Sequence, residues 1–497
     1  MRRWELILRL DPGLEQPLFL QLASLLAEDI RRGRLKPGDL LPGSRELADY
    51  LGVNRNTVIA GYDELVAEGL LQTRVGSGTF VAMQQVTPQA RDEPATVPSY
   101  GLPPSPLAPA FIQTLRPGTL ALSCSSPDVR LLPSSALARA FRRAIAQNGR
   151  WVLSYTDPRG HVRLRTELAT MLTRTRGLLA APDDVLITRS IEQGLDLVAR
   201  TLITPGDNVV IEAFGYPPAR NIMKLAGAQL LPVAVDQHGL DIDALEIVLA
   251  HQRVRAVLVT PHHQFPTTTV MSPSRRAGLA ELALRHRFAI IEDDYDHEFH
   301  YQGEPILPIA AGPARANVIY VASMANLLAP GVGTGFIVAP PAVLERLIAL
   351  RATSDAEGDA AVECAIAELF EDGEFLRHVR RMRQIYGHRR DALATSLTRH
   401  LGGALEFRLP EGGLALWAHA EDGIDVAAWA REAEEQGVAF RGSRDFDCTS
   451  RDDSFMRLGF SYLDEQELEE AVRRMARSLH RLRSRSRVAA AGQDGRR

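Results

Sequence analysis

Between residues 185 and 339 seven apolar runs of strand length recur between stretches with helical spacing. The runs fall at 185–188, 208–213, 230–235, 256–260, 288–292, 317–322 and 335–339. Strands that alternate with helices must be joined by crossovers, and crossover helices bury both faces of a sheet whose strands run mostly parallel. The expected fold class is therefore α/β, built on a mostly parallel seven-stranded sheet. Ligands of such sheets gather at the carboxyl ends of the strands. From about residue 340 the pattern becomes helical and then mixed, which predicts a smaller α+β subdomain over about 340–482, closing with a helix at 465–482. The arginine-bearing remainder, 483–497, reads as a disordered basic tail.

At 497 residues the chain exceeds one ordinary core. Its 45% hydrophobic and 24% charged content is that of a globular protein, and no apolar stretch has membrane-spanning length. Met1-Arg2-Arg3-Trp4-Glu5 leads into no signal-peptide core, so a cytoplasmic protein without a membrane partner is expected. Cys124, Cys364 and Cys448 are odd in number and lack CxxC spacing, which excludes a disulfide framework and a cysteine metal site as expectations. The net charge of −4 gives no general attraction to nucleic acid, so DNA binding requires a local basic face.

The front of the chain supplies a candidate for that face. Leu18, Leu22, Leu25, Leu26 and Ile30 predict a helix over 18–33 ended by Gly33. Ser44 is expected to cap a second helix through Tyr50, Gly52 to break it, and Asn54 to cap a third through Glu68. Two short helices around a glycine turn have helix-turn-helix spacing, and 70–81, with Gly76-Ser77-Gly78 at the turn, reads as a hairpin wing. This predicts a domain at 1–82. Prolines at 88, 94, 98, 103, 104, 106 and 109 then mark a Pro/Ala-rich linker over 83–115, leaving 116–482 for the α/β body.

Residues 17–82 resemble the GntR-type winged helix-turn-helix, through Pro17-Leu18-Phe19-Leu20-Gln21-Leu22, Gly33-Arg34-Leu35-Lys36-Pro37-Gly38, Leu41-Pro42-Gly43-Ser44-Arg45, Leu51-Gly52-Val53-Asn54-Arg55-Asn56-Thr57 and Gly76-Ser77-Gly78-Thr79-Phe80. The resemblance implies that the third helix lies in the major groove of a DNA operator, with Asn54, Arg55, Asn56 and Thr57 in its first turn. Arg55 is the candidate for a bidentate guanine contact. Arg45, Ser77, Gly78 and Thr79 are placed for phosphates.

From about Pro117 to Leu482 the chain resembles the fold-type-I aminotransferases, and the fusion resembles the MocR subfamily of bacterial regulators. The carrying motifs are Tyr155-Thr156-Asp157-Pro158-Arg159-Gly160, Pro205-Gly206-Asp207, Gly215-Tyr216-Pro217, Pro261-His262-His263-Gln264-Phe265-Pro266-Thr267, Glu292-Asp293-Asp294-Tyr295-Asp296, Pro330-Gly331 and Arg457-Leu458-Gly459-Phe460. The resemblance implies pyridoxal phosphate as cofactor, with Asp293 at the pyridine nitrogen, Tyr295 at the ring hydroxyl and Tyr216 stacked on the ring. It implies Arg457 at a substrate carboxylate. It also implies a homodimer, with Tyr155 reaching across to the partner.

Where the family has its Schiff-base lysine this chain has Asn326, and a carboxamide lacks the nucleophilic amine. The family's phosphate-binding arginine, seven residues later, is Gly333. The phosphate loop reads Arg189-Ser190-Ile191-Glu192-Gln193: Ser190 is retained, Ile191 adds bulk and Glu192 adds negative charge where a helix N-terminus would attract phosphate. Arg189 would compensate if it folded inward. Thr268 stands where the family has glycine. Of the two lysines in the chain, Lys36 belongs to the front domain and Lys224 to a helix surface, so neither replaces the amine. His262 and His263, with no carboxylate at ligand spacing, read as polar wall residues, and no metal site is expected.

The expected function is a DNA-binding transcription regulator whose degenerate aminotransferase-like body senses a small-molecule effector, dimerises, or both, without catalysis. The alternative is the same regulator holding pyridoxal phosphate noncovalently through Asp293, Tyr295 and Tyr216. An active aminotransferase would need an amine that position 326 does not provide.

Overall fold

The computed structural model describes residues 10–14, 16–74, 76–82, 115–303, 306–356, 358–449 and 454–494, with side chains described through 485. It comprises two compact units, Met1–Pro103 and Pro104–Arg497. Residues 83–114, which hold nearly all of the expected linker, lie outside the described residues.

In the first unit, helices Leu18–Arg31, Ser44–Leu51 and Arg55–Ala67 are followed by antiparallel strands β1 (Leu71–Arg74) and β2 (Gly78–Val81). Leu22, Leu26 and Ile30 of the first helix meet Leu47, Val58 and Leu65 in one apolar core. Tyr62 closes that core from one side, its hydroxyl donating to the Pro42 carbonyl at 2.8 Å. Asn54 caps the third helix as expected, accepting from the Asn56 N–H at 2.8 Å. Ser44 does not cap the second: Gly43 occupies the N-cap and Ser44 is the first helical residue. Gly78 needs its missing side chain, because its φ is +111° and a Cβ there would lie 2.7 Å from Leu40 Cδ1.

The second unit opens with β3 (Leu120–Ala121), and its large sheet contains β4 (Val185–Thr188), β5 (Asn208–Glu212) and β6 (Gln229–Val233). A small hairpin, β7 (Val235–Asp236) and β8 (Gly239–Leu240), interrupts it before β9 (Val254–Val259), β10 (Ala289–Asp294), β11 (Val318–Ser323) and β12 (Gly335–Val338). All seven expected runs enter this seven-stranded sheet, in the order β4-β12-β11-β10-β9-β5-β6. Only β12 runs antiparallel to its neighbours. Successive side chains alternate between faces: Ile291, Ile319, Val321 and Ile337 pack into one helical layer, while Ile290, Val257 and Val318 pack into the other.

The expected boundary of β10 is two residues short. The strand continues through Asp293 and Asp294, which pair with Val321 and Ala322 of β11. Alternation then sends Asp293 to the Ile291 face and Asp294 to the opposite one.

Beyond Pro340 come helices Pro341–Ser354, Ala360–Glu371 and Glu374–Leu401, then β13 (Leu405–Phe407) and β14 (Ala415–Ala420). After helix Val426–Glu435 follow β15 (Val438–Ala439), β16 (Arg441–Gly442) and β17 (Phe455–Gly459), giving a four-stranded sheet in the order β13-β14-β17-β16. β15 pairs instead with β3, so the start of the body joins the small subdomain. The last helix runs Glu465–Asp494, which corrects the expected tail: 483–494 is helical. Its Arg, Ser, Val and Ala residues contain no helix breaker before Gly492.

Candidate functional site

The first turn of the third helix exposes Arg55 and Asn56 and half-buries Thr57, while Arg45 is exposed one residue into the second helix. Arg55 Nε donates to Ser44 Oγ at 3.3 Å, so the arginine ties the two helices of the motif while its fork stays on the solvent side. At the wing, Ser77 is exposed and Thr79 Oγ1 lies 3.4 Å from Thr73 Oγ1. Arg45, Arg55, Asn56 and Ser77 therefore offer polar groups to solvent. Asn54 spends its side-chain oxygen on the cap.

In the second unit, the carboxyl ends of β4, β5, β9 and β10 deliver the other residues. Phe265 organises them: its ring meets Tyr216 edge-on at 5.3 Å and Tyr295 at 6.2 Å, and the Arg457 guanidinium sits over it at 4.5 Å. Arg457 is buried on β17. Its Nη1 donates to Ser125 Oγ at 2.7 Å, while Nε and Nη2 make no hydrogen bond. Burial lowers its pKa from the ordinary arginine value, against the pull of Tyr295 and Asp296.

Asp293 is also buried, with Oδ1 unpartnered. Its pKa is raised well above the carboxylate range by burial first, then by the negative neighbours Asp294, Glu192, Glu212 and Asp296. The site thus holds an acid and a guanidinium that each keep hydrogen-bonding capacity buried and unused. Leaving such capacity unmet costs about 1–3 kcal/mol per group.

Asn326 Nδ2 donates to the Tyr295 carbonyl at 3.1 Å, so the carboxamide pins the loop after β10. The Tyr295 hydroxyl donates to the His263 carbonyl at 2.9 Å. Ser190 caps helix Ile191–Leu202, its Oγ accepting from Gln193 N at 3.2 Å. Arg189 does not fold inward: its Nη2 meets Asp355 Oδ1 at 3.0 Å and donates to the Gly358 carbonyl at 2.7 Å. Ile191 turns into the apolar core and adds no bulk to the cup. Glu192 does face it, and accepts from the Tyr216 hydroxyl at 2.9 Å.

These residues do not fit covalently bound pyridoxal phosphate. Asp293 keeps a free oxygen, but Asn326 is a carboxamide and supplies no amine, Arg189 is held by Asp355, and Glu192, bonded to the Tyr216 hydroxyl, adds a carboxylate rather than a cation. Lys224 is exposed on helix Pro217–Leu225. Tyr155 does not join the pocket within one chain. It is 77% exposed, beside Trp151 at 79% and Leu153 at 71%.

Thr268 adopts a φ of +60°, which accounts for the glycine of the resembling family at that position. The expectation that His262 and His263 lack a carboxylate partner is corrected: Asp296 Oδ1 lies 2.7 Å from His263 Nδ1. His297 and His300 join the same cluster, and sequence reasoning missed both because they lie on the loop after the neighbouring strand. Burial lowers the pKa of His262 and His300, favouring their neutral rings.

Residues 18–81 match the family of bacterial regulatory proteins named gntR, and residues 121–475 match aminotransferase class I and II. The chain belongs to the gntR-family transcription regulators that carry an aminotransferase-like domain, the MocR type. It is 31% identical to the probable rhizopine catabolism regulatory protein MocR of Rhizobium meliloti, over 94% of each chain. It is 30% identical to the pyridoxine biosynthesis transcriptional regulator PdxR of Corynebacterium glutamicum, over 89% of this chain and 96% of that one. Among solved structures, the α-aminoadipate aminotransferase LysN of Thermus thermophilus superposes with a TM-score of 0.69 at 28% identity. The match covers 74% of this chain and 94% of that one. The protein is thus a DNA-binding transcription regulator with a fold-type-I body, and no helix of the described residues is long and apolar enough to cross a membrane.

Proposed function

We propose that the aminotransferase-like body is a noncatalytic sensor that recognises a small zwitterion of the α-amino-acid class and passes its occupancy to the DNA-reading head. The observation that carries this reading is the pair of unused buried groups. Arg457 keeps Nε and Nη2 for a carboxylate, and Asp293 keeps Oδ1 for a protonated nitrogen, whose positive charge would favour the ionised form that burial disfavours in the empty site. Phe265 and Tyr216 form an apolar wall between those polar ends. Asn326, bonded to the Tyr295 carbonyl, holds the loop and offers no amine, so the ligand is bound and released unchanged.

Operator recognition is assigned to Arg55, Asn56 and Thr57 in the groove, with Arg45, Ser77, Gly78 and Thr79 at phosphates. The regulator acts as a homodimer, and the exposed Trp151, Leu153 and Tyr155 form the face that meets a second copy.

The test is a thermal-shift screen of the purified protein with the common α-amino acids and pyridoxal phosphate. One amino acid is expected to raise the melting temperature, and Arg457→Ala to abolish the rise. A second reading, noncovalent pyridoxal phosphate, draws on the free Asp293 oxygen alone and predicts a cofactor absorbance removed by dialysis. An aldimine band in the isolated protein, bleached by borohydride, would overturn the noncatalytic assignment.

A further inference from the structure

On the face of β10 opposite Asp293, four imidazoles crowd together. His262 stacks on His297 at 4.2 Å between ring centroids and meets His263 at 4.3 Å, while His263 lies parallel to His300 at 6.0 Å. His262, His263 and His300 are 3%, 1% and 7% exposed. Both ring nitrogens of His262 and Nε2 of His263 have no hydrogen-bond partner, and the His300 ring has at most a weak contact with the Gln302 backbone. Buried imidazoles ordinarily satisfy at least one nitrogen, so His262, with neither satisfied, and the free nitrogens beside it need an explanation.

We propose that His262, His263 and His300 bind a divalent transition-metal ion of the zinc class. One ligand nitrogen from each residue forms a set whose members all lie within 4.8 Å of one another, and modest side-chain rotation would bring them to the separations around a single ion. Neutral imidazole is the donor that zinc, nickel and copper prefer.

The surroundings have the features of a metal site's outer layer. Asp296 Oδ1 holds His263 Nδ1 at 2.7 Å, which fixes the ring and leaves Nε2 without a partner on the Gly412 side. Asp294 Oδ2 holds His297 Nδ1 at 3.0 Å. Asp294 Oδ1 and Asp296 Oδ2 remain unpartnered beside the imidazoles, although Arg176 already lies 3.6 Å from Asp294 Oδ2. Gly412 leaves room against the ring, for a Cβ at that position would collide with His263 Nε2.

The ion would join two segments, the loop after β9 and the loop after β10, and the second is bridged through His300 to Gly412 in the β13–β14 connection. The site also adjoins the pocket, since the His263 carbonyl receives the Tyr295 hydroxyl. Its proposed role is to lock the pocket floor, and this holds whether or not the body senses amino acids.

The test is a titration of the full-length, chelator-treated protein with Co2+ alone and with Zn2+ alone. One equivalent of Co2+ per chain should bind with ligand-field absorbance typical of imidazole donors, and Zn2+ should displace it and raise the melting temperature. His300→Gln should abolish the absorbance, and Asp296→Asn should weaken binding roughly 10–100-fold. If His300→Gln fails to fold, zinc-edge X-ray absorption of the wild-type protein decides: about three imidazoles around zinc support the site. Failure of the wild type to take up one equivalent, Co2+ absorbance unchanged in folded His300→Gln, or a zinc edge without imidazole scattering would each overturn it.

Discussion

At position 326 a carboxamide holds the Tyr295 backbone carbonyl, two residues beyond Asp293, and both Asp293 and Arg457 keep unused hydrogen-bonding capacity. A buried acid without a partner destabilises the fold that contains it. Asp293→Asn is accordingly expected to leave the ligand-free protein as stable or more so, while removing the ligand-induced rise in melting temperature; loss of both would show that Asp293 is structural. On the DNA side, Arg55→Ala should cost about 1–3 kcal/mol of operator affinity and relax sequence preference, measured by anisotropy at fixed salt. Unchanged affinity would remove Arg55 from the groove. Short motifs single out Asn326, Asp293 and Arg457 in the sequence, and burial on the strands and their loops is what the structure adds. The fate of Arg189 was not legible there: its partner Asp355 is 166 residues away and belongs to no motif.

The seven strands were legible for a physical reason: strands covered on both faces must be apolar throughout, and this leaves a continuous run. Their ends were less so, since Asp293 and Asp294 extend β10 with acidic residues that the sheet's carboxyl edge accommodates. The charge of 483–497 points to a tail, whereas the alanines and arginines before Gly492 favour the helix that the structure shows through Asp494. At the wing, Gly78→Ala should destabilise the hairpin by about 1–3 kcal/mol, because it adds a Cβ at positive φ against Leu40. Thermal melts check this, and an unchanged midpoint would mean that the wing relaxes freely. Within the sheet, burial pushes Glu212 on β5 and Glu292 on β10 up to about 7 from 4.5. A raised folded-state pKa favours folding fully below the unfolded value, and the contribution is lost as pH rises through 7. Each group should therefore forfeit on the order of 3 kcal/mol between pH 4.5 and above 7. Denaturant titrations should show a shallower decline for Glu212→Gln.

Over the whole molecule, a head that reads DNA and a body that binds a ligand are useful together only if the ligand distinguishes two arrangements of the heads. A dimer provides such arrangements, since paired heads engage two half-sites only at matching separation. Trp151→Asp combined with Leu153→Asp should yield monomers in sedimentation and weaken operator binding, whereas a persistent dimer would place the interface elsewhere. The most direct test of the account is operator affinity, measured by fluorescence anisotropy at constant salt, with and without the amino acid found by thermal shift. Operator affinity of the wild type is expected to change about 5- to 150-fold, corresponding to about 1–3 kcal/mol of coupling, and that of Arg457→Ala not at all. Equal affinity in the wild type with and without a saturating ligand would contradict it.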